Sequence, residues 1–154
     1  MRRVVLFLAS GAYTGYIPVA SGTWGTLVAF PLYWWIFDPW RRDSVGFYLA
    51  AYVAAVLFAC WIAGRAEGIL QEHDSHVIVI DEIVGYLAAT LFIAPTWKAT
   101  LIAFLMFRVL DVVKPFPAGA IDRSLPGGAG VVLDDVVSGI YANVATRVVL
   151  AMLS

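Results

Sequence analysis

The sequence predicts an all-α fold: a small polytopic membrane helix bundle with about four to five membrane-embedded helices, some short or re-entrant near the polar motifs. Hydrophobic residues make up 62% of the 154 residues, charged residues only 14%, and the mean hydropathy is +0.85. A soluble domain is roughly 45–50% apolar and about 25% charged. The longest apolar run, about 19 residues, is long enough to cross a hydrocarbon core about 30 Å thick.

The predicted helices follow one another with short polar interruptions. The first covers residues 24–37 and ends at the charged turn "DPWRRDS", and the second covers 45–63. The third and fourth, 83–94 and 99–107, flank "PTWK", which is typical of an interfacial turn. A last amphipathic helix, roughly 131–152, follows the glycine-rich "PGGAG".

The third and fourth segments are short for a membrane crossing. A helix of about 12 residues rises only about 18 Å, so we expect both to extend into their charged flanks, which would then be partly embedded. Neither a repeat nor a linker divides the chain, so residues 1–154 are interpreted as one domain, and we expect no cleaved signal peptide.

Alternate crossings would collect the polar motifs at one end of the bundle. That end holds residues 11–23, 64–82 and 108–130, whereas 38–44 and 95–98 lie at the other. The motif end carries the larger share of basic residues: Arg65, Arg108, Lys114 and Arg123, with Arg2 and Arg3, against Arg41, Arg42 and Lys98. The positive-inside rule therefore places the motif end in the cytoplasm. A net charge of −1 argues against a nucleic-acid partner.

Five acidic residues occur at the motif end. Asp81 and Glu82 open the third segment, Asp111 ends the fourth, and Asp134 and Asp135 open the last. Ionised groups at membrane depth are costly unless they are neutralised, and oxygen ligands from several helices are what Mg²⁺ takes. The chain has no thiolate set for zinc. Neighbours on a helix diverge by about 100°, so we expect one acid of each pair to bind metal and the other to pair with a base.

Basic residues and glycines near these acids indicate an anionic ligand. Arg108, Asp111 and Lys114 lie along one helical stripe, and Pro115 places Lys114 at the helix end, where it can reach an anion. Backbone amides of two glycine-containing turns would also be available to a phosphate. These turns are "SGTWG", with Gly22 and Thr23, and "PGGAG", with Gly127 and Gly128.

A glycine lies one turn beyond an acid in two of the segments. Gly85 follows Asp81 by four residues, and Gly139 follows Asp135 by four. We expect the backbones to approach closely there. Small residues of this kind fit self-association and internal packing equally, so both oligomeric outcomes stay open.

Four motifs, taken in their order along the chain, resemble those of one protein family. "SGTWGT", "HDSHVIVIDE", "FRVLDVVKPFP" and "DRSLPGGAGVVLDDVVSGIYA" are similar to the motifs of the phosphatidylglycerophosphatase A family of bacterial inner-membrane lipid phosphatases. The resemblance runs from about residue 10 to 145. Ser21 departs from it, because the family usually has proline before Gly-Thr, and we expect a local difference in the turn.

The resemblance implies Mg²⁺-dependent hydrolysis of phosphatidylglycerophosphate to phosphatidylglycerol and inorganic phosphate at a cytoplasmic-facing active site. Some of Asp81, Glu82, Asp111, Asp134 and Asp135 would hold the metal. The phosphate would meet Lys114, Arg108 and Arg123, and the nucleophile is either an activated water or a carboxylate.

Two other classes of function also use embedded acids. An ion channel or transporter would place polar residues through the depth of the bilayer, whereas here they cluster at one end. A Mg²⁺-dependent lipid phosphotransferase would need a nucleotide site. The sequence contains no P-loop or dinucleotide fingerprint, but membrane transferases need neither, so this alternative stays open.

Overall fold

The computed structural model describes residues 1–153. These residues form helices joined by turns and loops, and they contain no β-strand. The helices are α1 (Arg2–Ala9), α2 (Ser21–Leu32), α3 (Asp38–Asp43), α4 (Val45–Leu70), α5 (Ile80–Ala89), α6 (Trp97–Val113), α7 (Ala118–Ser124) and α8 (Gly128–Met152). A 3₁₀ turn at Thr14–Tyr16 precedes α2, and a π-helical stretch at Tyr33–Phe37 joins α2 to α3. The predicted all-α class is therefore confirmed.

Two helices, α4 and α8, are long and apolar enough to cross a membrane. Only 22% of the apolar window of α4 and 28% of that of α8 are buried inside the protein. The central helix of a soluble protein would be mostly buried, whereas these helices present large apolar side chains such as Val53, Leu57 and Val144 to the outside. Both helices therefore fit membrane association.

Helix α5 forms the centre of the bundle. Nine of its ten residues are buried, and α2, α4, α6 and α8 pack around it. Ten residues rise only about 15 Å, so α5 cannot cross a bilayer alone. Helix α8 contacts α4, α5, α6 and α7, and the α5–α8 pair thus organises the rest of the chain.

The close crossing of α5 and α8 occurs at the two glycines expected from the sequence. A Cβ atom on Gly139 would collide with the carbonyl oxygen of Gly85. A Cβ atom on Gly85 would lie 2.7 Å from the ring of Phe107 and 2.9 Å from the carbonyl oxygen of Asp135. The expected close approach of the backbones is confirmed, and it lies one turn beyond an acid on each helix.

Side chains of α8 satisfy the open carbonyl groups at the C-terminal end of α5. The Asn143 amide donates to the carbonyl oxygens of Ala89 at 3.0 Å and Leu91 at 2.9 Å. Arg147 donates to the same Leu91 oxygen at 2.8 Å and to Asn143 Oδ1 at 2.8 Å. A helix that ends inside an apolar bundle needs such partners, because water is not available there. These hydrogen bonds give a structural role to Arg147, a charged residue near the C-terminal end of the otherwise uncharged second half of α8.

The helix boundaries differ from those expected from hydropathy. Helix α4 continues past residue 63 to Leu70, because Ala63 and Ala66 keep one face buried against the core while polar residues face outward. Helix α5 ends at Ala89, before residue 94, where the Thr90 hydroxyl donates to the carbonyl oxygens of Tyr86 and Leu87. Helix α6 is longer than expected and begins after Thr96, whose hydroxyl caps it by accepting from the amide of Ala99.

Candidate active site

Three carboxylates from α5 and α8 meet at one end of the bundle. Asp81 and Glu82 lie in the first turn of α5, and Asp135 lies in the second turn of α8. One oxygen atom from each lies within 4.8 Å of the others. Asp81 and Asp135 are buried, and Glu82 is partly exposed. Oxygen ligands about 2.0–2.1 Å from a Mg²⁺ ion lie roughly 3–4 Å apart, so small side-chain movements would complete a metal site here.

Helix α6 adds an acid and a base to this cluster. Arg108 Nη1 lies 2.8 Å from Asp111 Oδ2 and 4.0 Å from Glu82 Oε1. Asp111 in turn faces Asp135, because the two side chains are within hydrogen-bonding reach. We call this group the acidic cluster: Asp81, Glu82, Asp111 and Asp135 with Arg108. With all four carboxylates ionised, its formal charge would be −3.

The acidic cluster fits a hard divalent cation. Oδ1 of Asp81 and Oε2 of Glu82 are buried and have no hydrogen-bond partner among the described residues. A buried carboxylate oxygen without a partner is destabilising by roughly 1–3 kcal/mol or more. Burial removes the Asp81 carboxylate from water, and the Glu82 carboxylate beside it would repel it. A cation bound between these oxygens would relieve both the desolvation and the repulsion.

The two adjacent acidic pairs behave differently. In the pair on α8, Asp135 faces the acidic cluster while Asp134 pairs with a lysine, as expected from a rotation of about 100° per residue. In the pair on α5, Asp81 and Glu82 both reach the cluster, and Glu82 also lies 4.0 Å from Arg108, so which of the two would bind metal stays a prediction. Glutamate is one methylene longer than aspartate, so its carboxylate can turn back toward that of its neighbour.

Lys114 is held between two carboxylates. It lies at the end of α6, as expected, and its Nζ is 2.5 Å from Asp134 Oδ2 and 3.0 Å from Asp122 Oδ1. Burial lowers the pKa of Lys114, but the two acids outweigh this and raise it above its ordinary value. The ammonium group thus joins α6, α7 and α8. Asp122 was not among the predicted site residues, although it stands in the "DRSLPGG" motif beside Arg123.

The first turn of α2 lies directly against the acidic cluster. A Cβ atom on Gly22 would collide with Glu82 Oε1 and would lie 3.1 Å from both terminal nitrogens of Arg108. Gly22 is buried and Thr23, the next residue, is partly buried. Only a residue without a side chain allows α2 to approach the cluster so closely at this point.

Two other predicted phosphate-binding residues, Gly127 and Gly128, lie at the start of α8, away from the acidic cluster. Gly128 packs against α4, where a Cβ atom would collide with Cys60 O and with Gly64 N. It lies about 10 Å along α8 from Asp135, with Gly127 one residue further. Arg123 is exposed in the last turn of α7 and makes no ion pair with residues 1–153.

The family model for phosphatidylglycerophosphatase A matches residues 7–150. Phosphatidylglycerophosphatase A of Escherichia coli (strain K12) is 36% identical over 139 residues, which are 88% of this chain and 77% of that protein. The enzyme of the same name from Haemophilus influenzae is 33% identical over 136 residues, covering 88% of this chain and 82% of the relative.

A third relative carries a different name. A protein of Bacteroides thetaiotaomicron named as a candidate phosphatidylinositol-3-phosphatase is 31% identical over 147 residues, which are 93% of this chain and 91% of that protein. No solved structure matches the chain.

Proposed function

This chain belongs to the phosphatidylglycerophosphatase A family and is a phosphatase, and from that premise we propose that it hydrolyses phosphatidylglycerophosphate to phosphatidylglycerol and inorganic phosphate. One observation carries the proposal beyond the family name. Carboxylates that lie on separate helices meet within 4.8 Å, and two of them have buried oxygens without partners. Such a site would take a divalent cation and, through it, a phosphate.

We propose Mg²⁺ as the cofactor, held by Asp81, Glu82 and Asp135, with Asp111 beside them. When bound, the ion supplies positive charge that polarises the phosphoryl oxygens. Arg108, fixed by its contact with Asp111, would donate hydrogen bonds to the phosphoryl group as negative charge develops on it. In the reaction the P–O bond to the glycerol headgroup breaks and a new P–O bond forms to the nucleophile, which is either water or a cluster carboxylate.

Asp134 and Lys114 would hold in place the helices that carry the residues of the acidic cluster. Their ion pair ties the start of α8 to the end of α6, which carry Asp135 and Asp111 respectively. The roles of Asp134 as a metal ligand and of Lys114, Arg123, Gly127 and Gly128 as phosphate ligands stay predictions from the sequence.

The proposed location is the bacterial inner membrane, with the acidic cluster facing the cytoplasm. Helices α4 and α8 would cross the bilayer, as would α6 and the joined segment of α2 and the π-helical stretch, with α5 as the short embedded helix between them. A phosphomonoester on a lipid headgroup would then meet the cluster at the interface, while its acyl chains stay in the bilayer.

Phosphate release by purified protein in mixed micelles tests the proposal. The substrates are phosphatidylglycerophosphate, phosphatidic acid, phosphatidylinositol 3-phosphate and a soluble phosphomonoester, each with Mg²⁺ or with excess chelator. We expect the highest kcat/KM for phosphatidylglycerophosphate, loss of activity with chelator and recovery on adding Mg²⁺. A preference for phosphatidylinositol 3-phosphate would favour the activity named for the Bacteroides relative.

The same assay separates the other two classes of function. A transporter or channel would release no phosphate from any of these lipids. A phosphotransferase would also release no inorganic phosphate, because it would pass the phosphoryl group to an acceptor alcohol or release a nucleoside monophosphate from a nucleotide-activated lipid, and only when that co-substrate is added. Activity that persists in chelator would contradict the proposed role of Mg²⁺.

A further inference from the structure

A groove lies between α1 and the second half of α4, on the outside of the bundle. It encloses about 390 Å³, and its walls include Arg2, Val5, Trp61, Arg65 and Gly68. The α4 residues Trp61, Arg65 and Gly68 recur at intervals of four and three, so they form one helical stripe that faces α1. No residue of the acidic cluster belongs to this groove.

The charge of the groove is positive and uncompensated. Arg2 and Arg65 are exposed, and no acidic side chain lines the walls. Neither arginine makes an ion pair with any residue in the described part of the chain. The Arg65 guanidinium lies 5.7 Å from the ring centroid of Trp61, an arrangement that holds it at the groove without neutralising it.

The surroundings of the groove are those of a membrane interface. Helix α4 is long and apolar enough to cross the bilayer, and Trp61, 53% exposed, stands in its second half. Tryptophan and arginine near the end of a spanning helix mark the headgroup level. Next to the groove, the outer face of α1 exposes Val4 and Phe7. With α4 crossing the bilayer as proposed, the groove would open sideways into the region where phosphate groups and the first acyl carbons of lipids lie.

We propose that this groove binds an anionic phospholipid of the surrounding bilayer. The lipid phosphate would lie between Arg2 and Arg65, and one acyl chain would follow Val5 and Trp61. At Gly68 there is room for it, because a Cβ atom there would meet nothing within 4 Å. The bound lipid is separate from the substrate at the acidic cluster, so the inference does not depend on the proposed function.

Quenching of tryptophan fluorescence by brominated lipids tests this proposal. The protein is reconstituted in phosphatidylcholine nanodiscs with an equal mole fraction of brominated phosphatidylglycerol or brominated phosphatidylcholine. The signal of Trp61 is taken as the difference between wild type and Trp61→Phe. We expect the site to prefer phosphatidylglycerol over phosphatidylcholine. The affinity for phosphatidylglycerol relative to phosphatidylcholine should fall roughly 5-fold for each arginine removed. The variants are Arg2→Gln, Arg65→Gln and the double variant.

Arg3→Gln is the matched control, since it removes the same charge from the same helix but lies outside the groove. It should keep the preference, and phosphate release by all variants in micelles should show that they are folded. Equal quenching by the two lipids in the wild type would overturn the proposal. So would an equal loss in Arg3→Gln, which would indicate a diffuse surface charge rather than a site. Should the double variant be unfolded, mass spectrometry of lipid co-purified with Arg65→Gln decides, with retention of phosphatidylglycerol at the wild-type level contradicting the site.

Discussion

At the residue scale, the charged side chains fall into paired groups and one group with excess negative charge. At the end of the bundle opposite the acidic cluster, buried Asp38 accepts hydrogen bonds from Arg41 at 2.6 and 3.0 Å and from Arg42. Lys114 likewise pairs with Asp134 and Asp122. Among the described residues, the acidic cluster places four carboxylates around one guanidinium, and this excess supports the proposed cation.

Replacing Asp135 by asparagine tests the role of the cluster in catalysis. The amide keeps the shape of the side chain but removes a charge that would hold the metal, so we expect phosphate release to fall at least about 100-fold. Without metal, thermal stability should be unchanged or higher, because one of several repelling carboxylates is gone. Asp43→Asn, at an exposed position of the opposite end, is the control and should keep full activity. Near-normal turnover of Asp135→Asn would remove this residue from the site.

The lysine between two acids gives a graded stability prediction. Lys114→Met leaves Asp134 buried without its partner, which should lower the free energy of unfolding by about 3 kcal/mol. Asp122→Asn should lower it by about 1 kcal/mol or less, because the Asp122 side chain is 34% exposed. The measurement is thermal or denaturant unfolding in detergent. Adding Asp134→Leu to Lys114→Met should restore part of the lost unfolding free energy, because no unpaired buried acid remains. Equal losses in Lys114→Met and Asp122→Asn would contradict this account.

The pKa of Lys114 also sets the pH range of this contribution. Because the folded-state pKa lies above its ordinary value, the stabilisation is complete below about pH 10 and is lost only as the pH rises through the folded value. Deprotonation of Lys114 should therefore not reduce the difference in unfolding free energy between wild type and Lys114→Met as the pH rises to about 9, whereas protonation of the unpaired Asp134 in the variant should reduce it as the pH falls. A difference that disappears as the pH rises toward about 9 would mean that the lysine is not charged in the folded protein.

At the element scale, the short helix α5 is what places two of the acids at one end of the bundle. Its first turn carries Asp81 and Glu82, and its last turn is satisfied by Asn143 and Arg147 of α8. Both ends of α5 thus depend on α8. The crossing at Gly85 sets the distance between the helices that supply Asp81 and Asp135.

A methyl group at the crossing should separate α5 from α8. Gly139→Ala would place a Cβ atom against the carbonyl oxygen of Gly85, so we expect a loss of about 1–3 kcal/mol in unfolding free energy and a marked loss of activity. Gly46→Ala in α4 is the matched control, because its Cβ atom would meet only Ser44 Oγ at 4.0 Å. That change should be neutral or stabilising by up to about 1 kcal/mol. Equal stability and activity of the two variants would show that the crossing tolerates a larger separation.

At the scale of the whole molecule, the polar chemistry lies at one end of an apolar bundle. The acidic cluster and the α6–α7–α8 ion pairs lie at that end, and the arginines around Asp38 lie at the other. An arrangement of this kind suits an enzyme that meets its substrate at one face of a membrane.

Cysteine labelling of intact cells and inverted vesicles tests which end faces the cytoplasm. In a Cys60→Ser background, Glu72→Cys marks the motif end and Asp43→Cys the other, both at exposed positions. A membrane-impermeant maleimide should label Glu72→Cys only in inverted vesicles and Asp43→Cys only from outside the cells. Labelling of both from the same side would contradict the proposed topology.

Much of this architecture could be predicted because membrane embedding imposes simple rules on the sequence. Apolar runs of the right length must be helical, since a backbone in lipid has to satisfy its own hydrogen bonds. The same rules fail where tertiary contacts replace lipid or water. Helix α1 was not expected, because its apolar run is short. Helix α5 ends earlier than expected, because Asn143 donates a hydrogen bond to a carbonyl oxygen just beyond its C-terminal end.

The sequence by itself determined the helical class, the family and the collection of acids at one end, because these depend on composition, motif order and hydrophobic length. Only the tertiary structure decided which acids meet. It joined Glu82 to Asp81, paired Asp134 with Lys114 and brought in Asp122, because such contacts depend on how helices distant in the chain cross and how far each side chain reaches. Helical spacing describes one helix at a time, whereas a metal site is a property of several.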